Sequence, residues 1–221
     1  MELTEAIYSR HAVRRYMDKP LPEEVLAALT EEVAACNRKS GLHIQLITGE
    51  PEAFRGLMAR YGKFYGVQNY LALIGPKGAV LEECIGYYGE HLVLKAAQLG
   101  LDSCWVAATF RRGMVKKSAS SNEKLVCVVA MGYGETHGVP HKSKPMESLC
   151  KVDGEMPDWF RAGMEAALLA PTATNQQKFF ITLEGNAVKA ESTGGFYCKV
   201  DLGIVKYHFE IGAGRENFTW K

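Results

Sequence analysis

Leu81–Leu99 carries the longest helical pattern in the chain, and Gly100 ends it. A helix of this length with apolar residues along much of its surface has to be enclosed by other elements, so it is expected at the centre of the fold. Elements of both kinds alternate around it. Thr4–Arg10 reads as a short opening helix. Pro22–Ala35 reads as a second, with proline in its first turn, Glu23 and Glu24 at the positive dipole end, and Val25, Leu26, Leu29 and Val33 at helical spacing. His43–Thr48 is a strand, Pro51–Arg60 a helical stretch and Tyr70–Ile74 a buried strand, while Ser103–Thr109 and Leu125–Gly132 have the character of inner strands. Such alternation marks an α/β or α+β layer fold.

Between Gly134 and Pro157 the hydrophobic period disappears into Gly, Pro, Ser, Lys and His, the signature of a long irregular connection. A boundary is expected there, dividing residues 1–150 from residues 151–221. Beyond it stand a helix (Asp158–Ala170), a polar loop (Pro171–Gln177), two strands (Lys178–Leu183 and Ala187–Ser192, turned by Gly185-Asn186) and a last helix near Asp201–Gly212. This order abridges the first part, and both long helices contain Gly-x-x-x-x-His, as Gly86…His91 and Gly203…His208.

Several classes of function are excluded or disfavoured. Lysine plus arginine (26) against aspartate plus glutamate (25) leaves a net charge of +1, so there is no general electrostatic pull toward nucleic acid or anionic membrane. Apolar runs such as Leu125–Met131 are far shorter than the roughly 18 residues of a membrane span. The start, Met1-Glu2-Leu3-Thr4-Glu5, does not read as a secretory signal, and a cytoplasmic location is expected. Cys36, Cys84, Cys104, Cys127, Cys150 and Cys198 are scattered without a C-x-x-C pair, which argues for buried thiols rather than disulfides or a zinc site, and no metal is expected. Gly75-Pro76-Lys77-Gly78 and Gly132-Tyr133-Gly134 complete neither phosphate-loop pattern.

Four groups of residues carry chemistry. Arg10-His11-Ala12-Val13-Arg14-Arg15 offers guanidinium forks for a phosphate, or is a solvated basic turn. His141-Lys142-Ser143-Lys144-Pro145 is a second basic group with the same two readings. Pro171-Thr172-Ala173-Thr174-Asn175-Gln176-Gln177 presents donors and acceptors suited to a heterocyclic edge and a polyol tail, or is an ordinary helix-to-strand loop. Gly100-Leu101-Asp102-Ser103-Cys104-Trp105-Val106-Ala107-Ala108 either brings backbone donors near a flat ligand or is a packed strand.

In this order the groups resemble the FMN-dependent nitroreductases. That family's pattern has an opening helix ending in R-[HS]-x-x-[RK], a helix followed by S-x-x-x-N-x-Q and an aromatic strand, a long helix running into G-L-x-x-x-W, and a late K-S-[RK] near a proline. Here these stand as Arg10-His11-Ala12-Val13-Arg14, Thr172–Gln177 before Phe179-Phe180, Gly100–Trp105, and Lys142-Ser143-Lys144. The departure is one of place. The family has S-x-x-x-N-x-Q after the second helix, lent by one subunit to the flavin of its partner, whereas Cys36-Asn37-Arg38-Lys39-Ser40 does not fit and the motif stands after Asp158–Ala170. The chain therefore resembles those members with two tandem halves, the second truncated, so that one chain imitates the family's dimer.

The resemblance implies an α+β fold with a mainly antiparallel sheet flanked by helices, and one FMN per chain. It assigns Arg10, Lys142 and Lys144 to the FMN phosphate, His11 and Ala12 to the ribityl chain, and Arg14 to the N1–C2=O edge. Ala107 and Ala108 would bring backbone donors to the N5–O4 edge, and Pro171, Thr172, Ala173, Asn175 and Gln177 would close the site. Ala12 departs from the serine common there, and Ala107 offers only its backbone. The implied activity is electron transfer from NAD(P)H through FMN to a nitroaromatic, quinone or similar small acceptor, with no catalytic side chain nominated because the flavin carries the chemistry. The partners implied are that small molecule and, at most, a weak homodimer of pseudo-dimeric chains; no nucleic acid or membrane is expected. A flavin-binding, storage or electron-transfer protein without its own substrate needs the same contacts, and a site for another phosphorylated metabolite is a third reading. Tyr61–Gln68 and Phe110–Lys117 stand where lids over the flavin would lie.

Overall fold

The computed structural model describes residues 1–115 and 119–221. Its first part contains helices α1 (Leu3–Ser9), α2 (Glu23–Ser40), α3 (Leu57–Tyr61), α4 (Leu81–Gln98) and α5 (Arg112–Val115), and strands β1 (Gln45–Ile47), β2 (Asn69–Pro76), β3 (Asp102–Val106) and β4 (Glu123–Gly132). The later part contains β5 (Cys150–Val152), α6 (Asp158–Ala167), β6 (Phe179–Glu184), β7 (Ala187–Ser192), α7 (Cys198–Ala213) and β8 (Thr219–Trp220). The first sheet is wholly antiparallel, in the order β1-β2-β4-β3. The second has the order β5-β6-β7-β8, with β6 and β7 antiparallel and both outer pairs parallel. The fold is α+β with a mainly antiparallel sheet and flanking helices, as the resemblance implies.

The first sheet is covered on both faces, which the period of two along β2 makes visible. Leu71 and Leu73 face the core shared with α2, α4, α6 and α7, while Tyr70, Ala72 and Ile74 face a second cluster with Phe54, Phe64 and Phe110. In β4 the alternation slips once. Leu73 pairs with Cys127 and Ile74 with Leu125, so Val126 is a bulge, and Val126 and Cys127 both face the shared core. The bulge frees the Val126 carbonyl from the ladder, and it accepts from Tyr197 Oη at 3.0 Å and Arg112 at 3.1 Å.

Helices α4 and α7 cross with their backbones in contact. A Cβ on Gly86 would lie 2.0 Å from the Val200 carbonyl oxygen, and one on Gly203 would lie 2.0 Å from that of Glu83. The two contacts mirror each other: Gly86 and Gly203 are equivalent in Gly-x-x-x-x-His, as are Glu83 and Val200 three residues before them. The same exchange recurs a turn further on, where Glu90 meets His208 and His91 meets Tyr207. The long central helix is thus paired with the other helix carrying its motif, and the shared core runs without interruption from Leu21 to Phe218.

Several expected boundaries move. Helix α2 runs on to Ser40 because Asn37 bonds Ile44 through both side-chain ends, at 2.8 Å each, and Gly41 at φ 71° closes the helix. The Pro51–Arg60 stretch divides at Gly56, whose φ of 124° interrupts any helix, into a short 3₁₀ turn (Pro51–Phe54) and α3. β5 and β8 are three and two residues long and carry too little pattern to be read from sequence. Arg10 caps α1 in extended conformation, and the residues after it run along the edge of β3, with Ala12 bridged to Ser103. Lys116 and Lys117 lie outside the described residues.

Replacing Gly86 or Gly203 by alanine should destabilise the protein by about 2–3 kcal/mol or more, because the added methyl meets backbone that cannot yield. Gly78→Ala, with open space around its Cβ, should be close to neutral in the same denaturant titration.

Candidate functional site

The strap after α1, the end of β3, the irregular connection and the loop after α6 converge with the start of α7 on one cavity of about 490 Å³. Arg10, His11, Ala12 and Arg14 line it from the strap, Cys104 to Ala107 from β3, and Val139 with His141 from the connection. Pro171 to Asn175 and Phe196, Tyr197, Val200, Asp201 and Ile204 close it from the later part of the chain. The volume falls in the range of small-molecule and cofactor pockets.

The strap's period of two decides which side chains reach the cavity. Val13 is buried against the sheet, its N–H donating to Ser103 O at 3.0 Å, so Ala12 and Arg14 turn outward. Tyr16 anchors the far end, its hydroxyl donating to Val13 O and Ala130 O at 2.7 and 3.2 Å. Arg10 is held differently. Its side chain is 6% exposed and its Nε lies 3.7 Å from Glu90 Oε1, yet that buried N–H has no hydrogen-bond acceptor among the described residues. An orphaned guanidinium N–H in the wall of a cavity is what a bound oxyanion would satisfy.

Glu90 itself is completely buried and gathers three elements. It accepts from Trp105 Nε1 at 2.8 Å and meets His208 Nε2 at 2.9 Å and Arg10 at 3.7 Å. His208 Nδ1 faces the Ala166 carbonyl at 3.0 Å and must donate to it. The contact with Glu90 therefore carries one proton between the two groups.

The loop after α6 is backbone-strained and side-chain-stapled. Thr174, Asn175 and Gln177 have φ of 52°, 55° and 45°, and Tyr197 across the cavity has 56°. Each costs about 1–3 kcal/mol for a residue with a Cβ and persists where surrounding bonds over-determine it. Those bonds are present. Lys144 Nζ donates to the carbonyls of Gln176 and Gln177 at 2.8 and 3.0 Å, Gln177 Nε2 to Lys142 O at 2.9 Å, and Asn175 Nδ2 to Lys142 O at 3.0 Å. Asp201 accepts from Ala173 N at 2.9 Å and Gln176 Nε2 at 2.7 Å. Burial pushes the Asp201 carboxyl up to about 6, against the opposing pull of those two bonds. His11 is held below the usual imidazole range, first by burial and then by the Arg10 charge.

Nine of the anticipated residues line the cavity: Arg10, His11, Ala12, Arg14, Ala107, Pro171, Thr172, Ala173 and Asn175. Four lie behind or beside it. Ala108 is exposed beyond the strand end, Lys142 is exposed and contributes its carbonyl to the loop, Lys144 spends its ammonium on loop carbonyls, and Gln177 is buried as the staple. Neither Tyr61–Gln68 nor Phe110–Val115 lines the cavity. Trp105 and His141, from two of the candidate groups but with no role assigned, do line it, as do Phe196, Tyr197 and Asp201, which were not singled out. Gly194-Gly195 before the aromatic pair is the signal that could have found the last three, since a Cβ added at Gly195 would lie 2.2 Å from Gln176 Oε1 in the loop. His141 Nε2 donates to Leu168 O at 2.9 Å.

The family described as "Putative TM nitroreductase" matches residues 2–213. The fold is similar to a crystal structure of a "putative nitroreductase" from Thermotoga maritima MSB8, with 22% identity and a TM-score of 0.72 over 98% of this chain and 85% of that one. It is also similar to a "Putative NADH dehydrogenase/NAD(P)H nitroreductase" from Parabacteroides distasonis (20% identity, TM-score 0.54, 67% of this chain and 97% of that one). A nitroreductase family protein from Streptococcus pneumoniae TIGR4 gives 15% identity and a TM-score of 0.52, over 66% of this chain and 98% of that one. Two thirds of this chain therefore accounts for nearly the whole of either of the last two. No curated protein matches it. No helix among the described residues is long and apolar enough to cross a membrane.

Glu90→Leu should cost about 3–5 kcal/mol, because Trp105 and His208 lose their hydrogen-bond partner and Arg10 its ion-pair partner in a buried setting, and Glu90→Gln should cost less. Equilibrium denaturation checks both. Asp201 is raised from 3.8 to about 6, so the folded chain holds a proton that the unfolded chain has released. Its favourable contribution is complete below pH 3.8, falls as pH rises, and is gone above about pH 6. The melting temperature of Asp201→Asn relative to the unaltered protein should therefore rise between pH 4 and pH 7 and then level off.

Proposed function

This chain belongs to the family described as "Putative TM nitroreductase", and on that footing we propose that it binds one FMN in the cavity and works as a NAD(P)H-dependent oxidoreductase on a nitroaromatic, quinone or similar small acceptor. The observation that carries the proposal is the orphaned Arg10 Nε in the wall of a roughly 490 Å³ cavity that also holds Arg14, two histidines and the amide-rich loop. These residues fit the group. Arg10 supplies the charged donor for the phosphate, with Lys142 exposed nearby in the connection as a second cation. His11 and Ala12 would line the ribityl chain, and Arg14 would supply a cation at the flavin's polar edge, where positive charge stabilises added electrons. Ala107 would bring the end of β3 to the ring, whereas Ala108 is exposed beyond the strand end and outside the cavity lining.

When bound, FMN supplies the hydride and electron chemistry. The chain's own part is to bind, orient and shield. Glu90 holds Arg10 and Trp105 in place from behind. Asp201 and Lys144 hold the loop from Thr172 to Gln177 in its left-handed turns. Phe196, 58% exposed at the cavity, leaves one apolar face open on which a flat acceptor can stack. No side chain is needed as nucleophile; burial pushes the Cys104 thiol up and keeps it protonated.

The mirrored contacts of α4 and α7 support the reading that residues 1–150 and 151–221 are a complete and an abridged copy, and that one chain does the work of the family's dimer. The cavity then corresponds to the flavin site between subunits, with the second half in the partner's place.

The visible spectrum of freshly purified protein, followed by anaerobic NADH or NADPH, tests the proposal. Flavin bands that bleach and return with a quinone or nitroaromatic are expected. Bands that never bleach would make it a flavin carrier, and no flavin after incubation with FMN would overturn the reading. Arg10→Ala should lower FMN affinity at least about 10-fold through loss of a charge-assisted bond, and Lys142→Ala should have the smaller effect, by fluorescence titration.

A further inference from the structure

Among the described residues, one group of three potential metal ligands converges, and none of its members lines the flavin cavity. We infer that the seam between α2 and α4 binds one zinc-class divalent transition-metal ion through Glu32, Cys36 and His91. Glu32 and Cys36 are one turn apart on α2, so their side chains share a face. His91 reaches them from α4, and the three ligand atoms lie within 4.8 Å of one another. Bonds of about 2.0–2.3 Å to nitrogen, oxygen and sulfur need ligand atoms roughly 3.3–3.8 Å apart, a closure that side-chain rotation provides. One sulfur, one imidazole and one carboxylate make a donor set for a borderline ion and not for calcium or magnesium.

The surroundings suit this role. His91 Nε2 faces Glu32 Oε1 at 2.7 Å, while its Nδ1 faces the Tyr207 hydroxyl on α7 at 2.7 Å. Donation from Nδ1–H to Tyr207 aims the Nε2 lone pair at the cluster, the outer contact that metal-binding imidazoles require. Lys95 Nζ lies 3.9 Å from the other carboxylate oxygen, Oε2, and leaves Oε1 for the ion. The Cys36 thiol is buried, whereas the side chains of Glu32 and His91 are 26% and 31% exposed, so the solvent side gives entry and a place for water as fourth ligand. Binding displaces the thiol proton and the proton shared by His91 and Glu32; both pass to solvent as the metal–sulfur and metal–nitrogen bonds form. Motif spacing predicts no metal here because His91 comes from a different helix, and the proposal departs from that expectation.

Calorimetric titration of the chelator-treated full chain with zinc chloride tests the site, with the cobalt(II) difference spectrum as a second readout for a thiolate ligand. One zinc per chain and a thiolate-to-cobalt charge-transfer band are expected. Cys36→Ser and His91→Gln should each weaken zinc binding by about 100-fold or more, Tyr207→Phe by about 10-fold, and Cys84→Ser, a half-buried thiol on α4, should change neither readout. Circular dichroism of each variant confirms the fold. Absence of saturable one-to-one binding, or zinc binding and a cobalt band that survive Cys36→Ser, would overturn the inference. The flavin bands of the same samples report separately, so the two sites can fail independently.

Discussion

A carboxylate with no path to water must have every lone pair answered, and Glu90 is answered by three different stretches of the chain. Trp105 comes from the first sheet, Arg10 from the strap and His208 from the last helix. No two of these neighbours can drift apart without exposing a buried charge to an apolar core. That requirement sets the approach of α7 to α4, and the glycines at their crossing permit it. It also sets where Arg10 stands, leaving one guanidinium N–H in the cavity wall without an acceptor among the described residues.

The cavity's other wall is governed by the opposite device, a loop of poor intrinsic preference held by many bonds. Left-handed conformations at Thr174, Asn175 and Gln177 would be abandoned in an isolated peptide. Lys144, Gln177 and Asp201 tie them to the connection and to α7. The freed carbonyl of the Val126 bulge does similar work for Tyr197, another left-handed residue. A stiff, over-determined rim beside a flat binding space favours preorganisation over adaptation.

Much of this was legible beforehand where it depended on period or on punctuation. The apolar alternation of Tyr70–Ile74, the stop at Gly100, the turn at Gly185-Asn186 and the helix-loop-strand order after Asp158 all announce themselves locally. So did the groups that line the cavity, because basic forks and amide-rich loops are unusual at those places. What stayed hidden depends on tertiary contact. Lys144 was indistinguishable in sequence from a phosphate ligand, yet two loop carbonyls lie within its reach and occupy it. Asn37 lengthens α2 by bonding Ile44, just before β1, and nothing local in the sequence marks Glu90 as buried. The meeting of His91 with Glu32 belongs to the same class, since it links residues 59 apart in the sequence.

Both walls of the cavity come from one polypeptide, with the irregular connection between β4 and β5 as their tether. In a pocket shared by two subunits, the fraction of complete sites follows mass action and falls on dilution. Here the second wall is presented at a fixed local concentration, on the order of millimolar for a covalent tether. The number of complete cavities per chain is then the same in a dilute cell extract as in a concentrated stock.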